Sequence, residues 1–159
     1  MIILGLDPGT AITGYGVIRM VNFKISCIAY GVIRTTPDEL MSKRLETIYN
    51  DLGSILKQYK PDTVAIEKLF FGRNTTTAIT VGQARGVLLL RLAQENIPIG
   101  EYTPLQVKCA LAGYGGAEKK QIQYMVQSFL KLPELPQPDD AADALAIAIC
   151  HAHSSSNMR

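Results

Sequence analysis

The chain has 159 residues, 47% hydrophobic and 19% charged, with a formal net charge of +2. That length supports one domain with a core of its own, without disulfide or metal staples. Cys27, Cys109 and Cys150 lie in no Cys-x-x-Cys pair, no apolar run reaches membrane-spanning length, and Met1 leads into a strand without a basic leader; the composition excludes a disulfide scaffold and a membrane span, and the expectation is a cytoplasmic protein.

The first element is a short apolar run, residues 2–6, that ends on Asp7 and is broken by Pro8-Gly9. Such a run reads as a buried strand. Ligands of open α/β sheets gather at strand carboxyl ends. Asp also starts turns well, so this stretch alone leaves both roles open for Asp7. Residues 13–20 and 24–34 are β-rich, with Val21-Asn22-Phe23 as a hairpin turn, which predicts a three-stranded meander. Gly14 and Gly16 weaken a strand and point to something passing close to its backbone.

Thr36-Pro37-Asp38-Glu39 reads as a helix start, with Thr36 as N-cap and Glu39 completing a capping box. Leu45, Ile48, Leu52, Ile55, Leu56 and Tyr59 recur at helical spacing, and Lys60-Pro61 ends the helix. Residues 62–67 repeat the pattern of the first strand, an apolar run ending on Glu67. Reached through a helix, this strand is predicted to lie parallel to the first, with Glu67 beside Asp7. A loop at 68–74 follows, holding Phe70 and Arg73. An exposed ring beside basic groups can stack on bases or wedge between them; a ring folded into the core is the competing reading for Phe70.

A second helix is predicted from about 76 to 94. Its Ala78, Gly82 and Gly86 are spaced by four, which lets another backbone approach. Packing on the sheet or a symmetric contact between two copies would account for the stripe. Residues 97–102 read as a short edge strand, since Pro98 cannot join a full ladder. Thr103-Pro104 caps a short helix carrying Lys108. Gly113-Tyr-Gly-Gly116 is a break, and Glu118-Lys119-Lys120 opens a helix to about Leu130. Lysines at a helix start oppose its dipole, which leaves them for a partner or for solvent. The last helix begins at Asp139-Asp140, carries Asp143, and is apolar almost all round to Cys150. The domain is expected to span 1–153, with a flexible tail at 154–159.

Between residues 68 and 120 there are seven basic residues against three acidic ones. Asp7, Glu67, Asp140 and Asp143 come from two strand tips and one helix start. Four acids in one pocket repel unless cations are present. Oxygen donors without a Cys or His cluster point to Mg²⁺ or Mn²⁺. Paired ions at such a site support phosphodiester hydrolysis. The basic residues Arg73, Arg85, Lys108, Lys119 and Lys120 are the candidates to grip the phosphates.

The motifs Leu6-Asp7-Pro8-Gly9, Thr13-Gly-Tyr-Gly-Val-Ile18, Ala65-Ile-Glu67, Gly82-Gln-Ala-Arg-Gly86, Gln106-Val-Lys108, Ala117-Glu-Lys119 and Asp140-Ala-Ala-Asp-Ala-Leu-Ala-Ile147 occur in this order and spacing. Together they resemble the RuvC family of bacterial Holliday-junction endonucleases along essentially the whole chain. The resemblance implies an α/β, RNase H-like fold: a five-stranded mixed sheet flanked by helices on both faces. It implies a homodimer that nicks two opposed strands of a four-way junction with bound metal and leaves 5′-phosphate and 3′-hydroxyl ends. The family's acidic ligands fall on Asp7, Glu67, Asp140 and Asp143, with Asp139 as a neighbour. Its stacking aromatic falls on Phe70, its DNA-contacting lysines on Lys108 and Lys119, and its dimer contact on the helix bearing Ala78, Gly82 and Gly86. The resemblance also implies work with the RuvA and RuvB branch-migration proteins.

Two other readings compete. An actin-like ATPase or sugar kinase also ends its first strand in an acidic turn, but needs two domains, and this chain has length for one. A junction-binding module without cleavage would use the basic residues and Phe70 equally well. It would have no use for four converging carboxylates.

Overall fold

The computed structural model describes residues 1–68 and 75–156. Strand β1 (Ile2–Asp7) pairs antiparallel with β2 (Ile12–Val21), and β2 pairs antiparallel with β3 (Lys24–Arg34). Asn22 and Phe23 form the two-residue hairpin between them, both with positive φ (49° and 63°). That turn matches the right-handed twist of the flanking strands. Helix α1 (Met41–Tyr59) leads to β4 (Thr63–Glu67), which lies parallel to β1. Helix α2 (Thr75–Gln94) leads to β5 (Ile99–Tyr102), parallel to β4. The sheet order is β3-β2-β1-β4-β5. Three helices complete the chain: α3 (Pro104–Ala112), α4 (Lys119–Leu130) and α5 (Asp139–Ser156).

Alternation along the strands divides the core in two. On one face Leu4, Leu6, Val17, Val64 and Ile66 pack with the buried side of α1 and α2. On the other, Ile3, Ile18 and Ala65 pack under α5, with α3 packed on α5 and α4 touching both α5 and β3. The expected five-stranded mixed sheet with helices on both faces is therefore what the chain forms. Helix α5 is buried from Ala144 to Cys150 without interruption. Its many alanines and the glycines below it bring helix and sheet to backbone distance. A Cβ built on Gly5 would stand 2.0 Å from the Ala144 carbonyl oxygen, and one on Gly14 would stand 1.9 Å from that of Asp140. The weakening glycines of β2 thus mark the seat of α5, as their positions predicted.

The structure moves two expected boundaries. Helix α1 starts at Met41 rather than at 37, with Leu40 at the N-cap and no side-chain cap bond. The Thr36 hydroxyl is spent on a turn ahead of the helix: Thr36 Oγ1 accepts from the Asp38 N–H at 3.3 Å, and the Glu39 N–H donates to the Thr36 carbonyl. Such local bonds compete with helix capping. At the other end, α5 continues to Ser156, past the boundary expected at 153. There Ser154 Oγ and Ser155 Oγ donate to the carbonyls of Cys150 and His151, both at 2.9 Å.

Candidate active site

The parallel ladder sets Leu6 opposite Ile66. The next residues, Asp7 and Glu67, therefore end neighbouring strands at the same edge. Ile3, Gly5 and Asp7 alternate onto the α5 face of the sheet, as do Ala65 and Glu67. Gly14 pairs with Asp7 across β1 and β2 and lies directly beneath the Asp140 carbonyl. The first turn of α5 is thereby seated over the tip of β1. Asp140 and Asp143, three residues apart, share a helix face there. All four acids are half-buried.

The turn after Asp7 is pinned on two sides. Thr13 Oγ1 donates to the Gly9 carbonyl at 2.6 Å, and Thr10 Oγ1 donates to the Thr80 carbonyl of α2 at 2.7 Å. Both threonines are buried. No pattern in the sequence singles out these two bonds, although a buried hydroxyl needs such a partner.

Electrostatics place the acids in one neighbourhood. Burial, then Glu67, Asp143 and Asp140, push the Asp7 pKa up to about 8. Burial and then Asp143 raise Glu67. Burial raises Asp143 despite the opposing pull of Lys119. Lys119 Nζ lies 3.4 Å from Asp143 Oδ2 and 3.4 Å from Asp139 Oδ2, tying α4 to α5. Burial works against the charge on Lys119, but Asp143 and Asp139 outweigh it and hold its pKa above the ordinary value. Asp139 also accepts from Gln123 Nε2 at 3.0 Å, so it faces α4.

A cleft of ≈ 210 Å³ opens beside the acids, lined by Glu67, Asp143, Lys108 and Lys119 over an apolar wall that includes Val107 and Ile147. The oxygen-only donor set fits a hard divalent cation by its chemistry. Among the described residues no three of these groups close on a common point as the side chains stand. Asp143 is turned to Lys119 and would have to exchange that partner for an ion.

Other candidates fall differently. Lys108 borders the cleft and Lys120 is exposed at the start of α4. Phe70 and Arg73 lie outside the described residues. Arg85, expected to grip phosphate, is committed elsewhere: its Nε donates to the Glu67 carbonyl at 3.0 Å and its Nη2 pairs with Glu101 Oε2. Its side chain is only 16% exposed. Ala78, expected at a surface between two copies, is buried within its own fold. The reason is geometric. Residues four apart advance by about 40° around a helix, so the stripe rolls from the buried Ala78 through half-buried Gly82 to Gly86. A Cβ on Gly86 would meet nothing within 4 Å.

Comparison with known proteins agrees with the motifs. The sequence profile of "Crossover junction endodeoxyribonuclease RuvC" matches residues 3–151. The chain belongs to the RuvC family. A RuvC from Desulforamulus reducens is 58% identical over 99% of this chain and 97% of its own length. The structure of RuvC from T. thermophilus in complex with a Holliday junction substrate matches with a TM-score of 0.94 at 36% identity, covering 99% of this chain and 96% of that one. A yeast mitochondrial Holliday junction resolvase matches at a TM-score of 0.71 and 14% identity over 98% of this chain and 81% of its own, a likeness of fold alone. The fold is the RNase H-like one of RuvC, and the family is one of nucleases. Among the described residues no helix is long and apolar enough to cross a membrane.

Proposed function

We propose that this RuvC nuclease resolves Holliday junctions in the cytoplasm by paired symmetric nicks, in homologous recombination and DNA repair. The observation that carries the reading is the group of four half-buried acids at one sheet edge, three of them with raised pKa, beside a cleft holding two lysines. Asp7, Glu67, Asp140 and Asp143 would hold two Mg²⁺ ions, or Mn²⁺ in their place. Bound there, the ions would supply activation of a water and stabilisation of the leaving oxygen. Lys119 and Lys108 would neutralise phosphate charge at the mouth of the cleft, with Phe70, Arg73 and Lys120 as further DNA contacts. Ends carrying 5′-phosphate and 3′-hydroxyl, and work with RuvA and RuvB, complete the proposal. A junction-binding module without cleavage is the alternative.

The deciding experiment is cleavage of a labelled four-way junction in Mg²⁺ beside a linear duplex of the same sequence. Symmetric nicks in the junction alone are expected. Equal cutting of the duplex would remove the junction selectivity. Binding without nicks in either Mg²⁺ or Mn²⁺ would leave only the binding module.

Two opposed nicks require two sites, hence two copies. Helix α2 offers a face for this: Ile79 and Leu90 are 62% and 55% exposed on either side of open Gly86. The two charged residues of α2, Arg85 and Arg91, are paired with Glu101 and Glu95. Gly86→Leu has room in the single chain and should leave its fold intact, while turning the dimer into a monomer by sedimentation. A dimer that persists would place the contact elsewhere.

A further inference from the structure

Helix α2 is fastened to the tips of both acid-bearing strands. Thr10, just beyond Asp7, reaches the Thr80 carbonyl at 2.7 Å. Little more than a turn further on, Arg85 reaches the Glu67 carbonyl at 3.0 Å through Nε and Glu101 Oε2 through Nη2. Glu101 stands opposite Ile66 in β5, and Tyr102 opposite Glu67. The last ladder bond runs from the Lys68 N–H to the Tyr102 carbonyl at 2.8 Å. Arg85 therefore takes hold of the chain where it leaves the sheet. Its donors form a rigid planar fork. Occupied at both prongs, the fork fixes the end of β4 relative to β5 and to α2. Glu101 is exposed on its side of the pair, whereas the guanidinium itself is little exposed and its second bond goes to a main-chain carbonyl.

We propose that Arg85 is a positioning residue for Glu67, holding the last residue of β4 so that its carboxylate stays in the acid group. The proposal rests on reading Glu67 as one of the catalytic acids. Arg85 adjoins Gly86, so the link also connects the open face of α2 to the site.

Three variants test it. Lysine keeps the charge of Arg85 but is a single point donor and cannot hold both acceptors. Arg85→Lys and Arg85→Ala should cut a four-way junction roughly 10- to 100-fold more slowly under single turnover. Their junction affinity should stay within about threefold of the parent, because Nε and Nη2 of Arg85 are spent on the Glu67 carbonyl and on Glu101. The Mg²⁺ concentration that half-saturates thermal stabilisation should rise several-fold in both, a readout independent of cleavage. Ethylguanidinium should restore part of the Arg85→Ala rate and none of that of Asp7→Asn. Glu101→Gln keeps an acceptor and should lose less than Arg85→Ala. Cleavage and Mg²⁺ midpoint unchanged in Arg85→Lys would overturn the proposal, and this variant decides the matter if Arg85→Ala fails to fold. Junction affinity that falls in step with cleavage would overturn it too, by making Arg85 a DNA contact. Asp7→Asn separates the two levels. If that variant still cuts, the reading of the acids fails; if it is dead while Arg85→Lys cuts at full rate, only the role of Arg85 fails.

Discussion

Asp7→Asn is expected to bind a four-way junction as the parent does while cutting it slower by roughly 10³-fold or more, as removal of a central charged group from such a site does. Asn keeps the shape of the side chain, so the packing under α5 has no reason to change. What it loses is the negative charge that bound cations need. Asp7 is the acid with the most neighbours pressing on it: Glu67, Asp143 and Asp140 all oppose its ionisation. A variant that cuts at the parent rate would move the chemistry away from this edge of the sheet.

The same substitution should leave a mark on stability without any DNA. An Asp in the unfolded chain titrates near 3.8, whereas Asp7 in the metal-free fold titrates at about 8. Between those values the unfolded chain has released the proton and the folded one still holds it. Stability therefore falls as pH rises through that window and levels off on either side. The full cost is on the order of a few kcal/mol. Glu67 and Asp143 shift in the same direction. In a chelator, then, Asp7→Asn should melt above the parent, by a margin that grows toward pH 8. Mg²⁺ should raise the melting temperature of the parent at pH 8 and raise that of the variant much less. Coincident melting curves from pH 5 to 8 would mean that Asp7 is not the strained acid.

Much of this site was legible in the chain because its parts are local and repeated. An apolar run ending on an acid occurs twice, and a connecting helix makes the two strands parallel, so Asp7 and Glu67 had to meet. Gly14 and Gly16 announced the element that covers them. What was not legible has two origins, pairing between distant segments and local choices between competing bonds. The partners of Arg85, named from the sequence only as a candidate phosphate contact, were not legible because Glu101 and the Glu67 carbonyl come to it through the β4–β5 ladder. For Ala78 the sequence left packing on the sheet and a contact between copies both open, because spacing gives a stripe's direction along the helix, not which side of the helix the core takes. Thr36 had two ways to use one hydroxyl, and the turn won over the cap.

Gly14→Ala tests the seat of α5, and its expected effect is large on two counts. The added methyl would stand 1.9 Å from the Asp140 carbonyl oxygen and 2.4 Å from its carbon. Both atoms are backbone in the first turn of a helix buried along its length, so no side chain can swing aside. Either β2 bends or the start of α5 lifts. Overpacking of this kind costs about 1–3 kcal/mol, which for a chain this long lowers the melting temperature by several degrees. Lifting α5 also carries Asp140 and Asp143 away from Asp7 and Glu67. A displacement of about 1 Å in such a site can cost on the order of 10²-fold in rate. Cleavage should therefore fall by more than the lost stability explains, at temperatures where the variant is fully folded. Gly116→Ala is the control, since its methyl would meet only the Tyr114 ring at ordinary contact distance. Its stability should stay within about 0.5 kcal/mol of the parent's. If Gly14→Ala melted and cut like the control, the acids of α5 would have to be held in place by something other than the sheet beneath them.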